Sequence, residues 1–88
     1  MNKAMRKQLD EVIKLIDEID LDNIEQQLTD IQYEEQEKFE NLSEGLQASD
    51  QGQSIETAAA ALQEAVEAVA EARLNLEEAK NQIEEAQA

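Results

Sequence analysis

IETAAAALQEAVEAVAEARLNLEEAKNQIEEA, residues 55–86, decides how this chain folds. Read in sevens, Ile55, Leu62, Val69, Leu76 and Ile83 form one row, and Ala58, Ala65, Ala72, Ala79 and Ala86 form a second, three residues on. The two rows alternate steps of three and four without a break, a heptad seam that keeps one stripe of a helix against a partner through a left-handed supercoil. One row is large and the other is a single methyl group throughout. Alternation of that kind lets a neighbouring backbone approach at each Ala, so Ala65 and Ala72 are expected where a second helix passes closely. The seam is read as internal, with a docking surface for another protein as the alternative.

Outward from this stretch, the rest of the chain has the composition of long helices. Its 88 residues hold no Pro and no Cys, two Gly, and Tyr33 and Phe39 as the only aromatics. Such a sequence makes one domain at most, and helix formers dominate it. A net charge of −15, from 22 acids and seven bases, would suit a disordered chain. A disordered chain, however, has no reason to hold apolar residues in phase.

The first half repeats the period. Met5, Leu9, Val12, Ile16 and Ile19 follow it, and the apolar set then resumes one residue late at Ile24, Leu28 and Ile31. With no Gly or Pro in the way, one helix from about residue 4 to 42 is expected. A break near Asp20–Asn23 is the alternative, since Asp22 followed by Glu25 resembles a helix start. Residues of about 43–53 interrupt period and composition and contain both glycines. Gly45 is expected as a left-handed stop with Leu46 folding back on it, and Ser49 or Ser54 as the cap of a second helix from about 54 to 87. A connection this short returns the second helix antiparallel. The expected fold is all-α: a long antiparallel helical hairpin of coiled-coil type. Because two helices bury little, a homodimer forming a four-helix bundle is expected, with Ala59, Ala61, Val66 and Ala68 widening the contact.

The corner carries a resemblance. Phe39-Glu40-Asn41-Leu42-Ser43-Glu44-Gly45-Leu46-Gln47, then Ser49 and Gly52, then heptads, resembles small acidic two-helix proteins encoded by bacteriophages and other mobile elements of bacteria. Ser43 stands where that pattern has Pro, and Gln51 where a charged residue is common. The resemblance implies a viral or mobile-element origin, the cytoplasm of a bacterial host as location, and interference with a host protein as the task.

Catalysis lacks its parts. Without His or Cys there is no nucleophile–base pair and no soft metal site. Ser49-Asp50-Gln51-Gly52 is too poor in oxygen ligands for calcium. The chain reads as a non-enzyme without cofactor or metal.

Charge is the remaining signal. Leu15–Ala72 holds 16 acids and Lys38 as its only base, while the two terminal segments together are neutral. Asp17, Glu18, Asp20, Asp22, Glu25, Asp30, Glu34, Glu35 and Glu37 follow one another with no base between them. On one continuous helix they would fall about one per 3.5 Å, close to the ~3.4 Å spacing of phosphates along one DNA strand. The expected function is therefore inhibition of a host nucleic-acid-handling or defence protein through an acidic, DNA-mimicking surface that meets a basic partner. Direct binding of nucleic acid or of an anionic membrane is excluded by repulsion. The alternative is a structural assembly or scaffold protein acting through the apolar seam, and a third reading is a chaperone-like adaptor for a basic partner.

Overall fold

A computed structural model describes residues Met1–Ala88 and contains four helices and no strand. They are α1 (Lys3–Asp17), α2 (Leu21–Glu40), the single turn α3 (Glu44–Gln47) and α4 (Asp50–Gln87). Each begins at a polar residue whose side chain accepts a hydrogen bond from the backbone N–H three residues on. Asn2 accepts from Met5, Asp20 from Asn23, Ser43 from Leu46 and Ser49 from Gly52. Such a cap satisfies one of the four N–H groups that a helix start leaves without a partner.

The caps revise the expected element bounds. The single helix over residues 4–42 is two helices, because the Asp20 carboxylate takes the Asn23 N–H at 3.1 Å while α1 closes at Glu18 through a bond from its N–H to the Lys14 carbonyl. That break absorbs the extra residue in the heptad count. Gly45 is no left-handed stop: no residue has a positive φ, and Gly45 sits inside α3. Leu46 is half exposed and does not fold back over a helix end. Ser49, and not Ser54, caps the last helix, which starts four residues earlier than expected.

Contacts between elements follow a simple rule. Arg73 meets Asp22, Lys80 meets Asp17, and Gln87 Nε2 donates to the Arg6 carbonyl at 3.5 Å. Rising numbers on one side accompany falling numbers on the other, so α1 and α2 run opposite to α4. The result is a rod of 67 × 15 × 14 Å with a radius of gyration of 20.1 Å, against about 12 Å for a compact chain of this length.

A rod two helices wide has almost no interior. Gly52 and Ala59 are its only buried residues, and no large side chain is fully covered. Both lie on a heptad-spaced row of α4 that reads Gly52, Ala59, Val66, Arg73, Lys80, Gln87. Side chains on this row are small near the corner and long towards the termini, which suits helices that approach most closely at the corner. There a Cβ on Gly52 would collide with the Leu46 and Gln47 carbonyls and come within 2.7 Å of the Gln47 Cα. Towards the termini, long basic and amide side chains bridge the gap instead.

The inward row of α4 therefore pairs Ile55, Leu62, Val69, Leu76 and Ile83 with the Gly52–Gln87 row. Ala58, Ala65, Ala72 and Ala79 are half-buried beside it, and Ala86 is exposed. The most buried alanine is Ala59, 2% exposed, whereas Ala65 and Ala72 are only half-buried. Leu9, Ile13 and Ile16 of α1 face α4, followed on α2 by Leu21, Glu25, Leu28, Gln32 and Phe39, all half-buried. Met5, Val12, Ile19, Ile24 and Ile31 are 41–50% exposed and lie beside this seam.

Candidate functional site

The better-defined cleft lies at the break, lined by Ile16, Ile19, Leu21 and Leu76 together with Asp17, Glu18, Asp20, Asp22, Glu77 and Arg73. Its acids do not converge, and no cluster of carboxylates able to hold a metal ion occurs anywhere. Two surfaces stand out.

The first is acidic. The nine consecutive acids do not form one line, because the break divides them and several turn towards α4. Asp22 Oδ1 accepts from Arg73 Nη1 at 2.6 Å, and Glu25 Oε2 lies 3.4 Å from Arg73 Nη2 without hydrogen-bond geometry. Asp17 Oδ1 lies 2.6 Å from Lys80 Nζ. Glu35 pairs with Lys38 at 2.8 Å within α2. Asp20 is spent on its cap. Glu18 is exposed in the link, and Asp30, Glu34 and Glu37, spaced four and three apart, form an exposed row on the side of α2 away from α4.

The bases feel these contacts. A hydrogen bond to Asp22, then the charge of Glu25, holds the Arg73 guanidinium above its ordinary value. A hydrogen bond to Asp17 does the same for Lys80, and one to Glu35 for Lys38. Arg73 is 44% exposed, and Lys80, though 21% exposed, meets an Asp17 that is 55% exposed, so these two contacts between helices set register more than they stabilise, while the Lys38–Glu35 pair stays within α2. Asp17, Asp22, Glu25, Glu35 and Glu77 are the only acids in an ion pair, which leaves 17 of the 22 without one. A second exposed acidic row was not expected from the sequence: Glu64, Glu67, Glu71, Glu78 and Glu85 on the outer side of α4. Its signal in the sequence is a spacing of three, four, seven and seven residues, sparser than the acidic run of the first half.

The second surface carries little charge. On α4, Ser54, Ala58, Ala61, Ala65 and Ala68 step by four and three, and Ala72, Asn75, Ala79, Gln82 and Ala86 continue the step. Beside the inward row of α1 and α2 lie Met5, Val12, Leu15, Ile24 and Ile31, five of the ten large apolar side chains left exposed. At 3.6 residues per turn, both rows are displaced from the inward row by roughly 50–130° in the same rotational sense. Facing antiparallel helices are related by a two-fold axis perpendicular to both, so equal displacement places the two rows on one side of the rod. The ion pairs of Arg73 and Lys80 lie on the other side. One face is therefore uncharged along most of its length, with large side chains on one helix line and alanines on the other.

No protein-family model, curated protein or solved structure matches the chain. No helix is long and apolar enough to cross a membrane.

Proposed function

We propose that this is a non-catalytic binding protein: a helical hairpin of coiled-coil type, paired with a second copy, that offers its carboxylates to a basic protein. The single observation behind this reading is the set of 17 acids without a basic partner in the chain, eight of which form exposed rows: Asp30, Glu34 and Glu37 on α2, and Glu64, Glu67, Glu71, Glu78 and Glu85 on α4. Self-repulsion in that set is relieved when a basic surface covers it, which favours association and speeds encounter. Taken with the resemblance of residues 39–52, the partner is a bacterial host protein that handles nucleic acid or serves in defence. Inhibition follows where the acidic rows occupy the groove meant for phosphates, within the cytoplasm of the host.

The test is capture from bacterial lysate at low and high salt, beside a variant with Asp30→Asn, Glu34→Gln and Glu37→Gln. A charge-led complex weakens steeply with ionic strength and in the variant. Equal capture by both proteins at both salt concentrations would overturn the reading.

A second reading has its own observation. Met5, Val12, Ile24 and Ile31 are exposed on one uncharged face, as suits a structural coiled-coil component that assembles through apolar contacts. Its complexes would withstand salt.

A further inference from the structure

Resting on the paired reading above, we infer that a second copy covers the uncharged face and lies antiparallel to the first. Each α4 then packs against the other α4 through its alanine row, and the acidic corners point to opposite ends.

The need for a cover comes from burial. With only Gly52 and Ala59 buried, the single rod leaves its apolar side chains half in water. The uncharged face spans roughly 40–50 Å at 1.5 Å rise per residue across a molecule 15 Å wide. Two copies would then bury about 1,200–1,500 Å², within the range of stable protein interfaces. A charged or polar partner would have to shed its own hydration to cover these side chains, whereas the same face on a second copy is equally poor in charge.

Charge selects the orientation. Side by side in the same direction, two copies would set together two halves that each carry 16 acids and one base. Reversed, each acidic half lies against the other copy's neutral end, which holds Lys3, Arg6, Lys7 and Lys14. A two-fold axis that reverses the rod and joins this face to itself sets α4 on α4 and α1–α2 on α1–α2. Alanines on α4 permit the close approach this requires, and Met5, Val12, Ile24 and Ile31 fill the wider gap between the other helices. The α4 row runs from Ser54 to Ala86, so the axis crosses it near Ala68 and Ala72.

Three measurements on the full chain separate pairing, face and orientation. Sedimentation equilibrium at tens of micromolar should give twice the 9.9 kDa chain mass; a monomer overturns both this inference and the paired reading. Ala68→Glu, on the uncharged face, should raise the dissociation constant at least tenfold with helix content kept, while Leu74→Glu, on the opposite side, should leave it unchanged. The reverse pattern would keep the dimer and overturn the face. The chain has no cysteine, so single substitutions report cleanly. Under mild oxidation, Ala68→Cys or Ala72→Cys should form a disulfide-linked dimer and Ser54→Cys should not, its two copies being roughly 50 Å apart. Linking at Ser54→Cys, or at none of the three in a dimeric protein, overturns the antiparallel arrangement.

Discussion

Arg73 reaches across 51 residues of sequence to Asp22, its Nη1 donating to Oδ1 at 2.6 Å. The contact stands just beyond the break between α1 and α2 and fixes which turn of α4 lies opposite the start of α2. Both side chains are well exposed, at 44% and 77%, so water and salt screen the pair and its effect is on register more than on stability. Arg73→Ala should lower the melting temperature slightly at low salt, and the difference from wild type should shrink in 0.5 M salt. A difference that stays the same in high salt would assign the role of Arg73 to the packing of its stem.

Asp20 decides where the first half of the chain breaks. Its carboxylate caps α2, so Asp20→Ala should cost about 1 kcal/mol, within the usual 0.5–2 kcal/mol for a lost cap. Asp20→Asn, which keeps an accepting oxygen, should cost much less. Urea unfolding of the three proteins measures both, and equal losses would show that the carboxylate acts through its charge and not as a cap.

The two glycines should respond in opposite directions. At Gly52 a methyl group meets the backbone of Leu46 and Gln47, and Gly52→Ala should cost about 1–3 kcal/mol through forced separation of α3 from α4. At Gly45 nothing lies within 4 Å, and the residue is helical. Gly45→Ala should therefore stabilise by roughly 0.4–1 kcal/mol by restricting the unfolded chain. Thermal melts of the two variants read the contrast directly.

Ala59 and Ala72 test where α4 approaches its neighbour. Ala59 is 2% exposed, so Ala59→Leu should overpack and cost about 1–3 kcal/mol. Ala72 stands on the flank, and in a dilute, monomeric sample Ala72→Leu should cost clearly less. If the two cost the same, the close approach extends to the alanine row itself.

The helical content was legible in the spacing of residues 55–86 and in the absence of Pro; of the four caps, Ser49 was a candidate beside Ser54, whereas Asn2, Asp20 and Ser43 emerge only from the structure. Period alone gave no weight to Asp20, because a polar residue at a solvent position and a cap look alike until the N–H it accepts from is known. Gly45 and Gly52 posed the same difficulty: both are glycines in a corner, and only the neighbouring backbone separates the dispensable one from the required one. The nine acids looked like one face because a continuous helix was assumed. Once Arg73 and Lys80 are placed across from them, Asp17, Asp22 and Glu25 belong to the groove between helices. Which alanine row lies inward depends on a rotation of less than a quarter-turn, smaller than heptad counting resolves when Ala58 and Ala59 adjoin.

Lys80 gives the pH dependence its sign. Its ammonium, held by Asp17, has its pKa raised above the ordinary 10.5. A base whose folded-state pKa is raised contributes stability that is fully present below the unfolded value and is lost as pH rises through the folded one. Wild type should thus exceed Lys80→Gln in melting temperature by a margin that is constant from neutral pH to about pH 10. Above pH 10.5 that margin should narrow, as the ammonium loses its proton and the variant has nothing comparable to lose. Taking the difference between the two proteins cancels the general rise in negative charge, which weakens both. Added salt at neutral pH should narrow the same margin while raising both melting temperatures, since it screens the attraction of one pair and the repulsion among the remaining acids. A margin unchanged above pH 10.5 would show that Lys80 acts through its aliphatic stem against α1, and that the contact with Asp17 follows from packing.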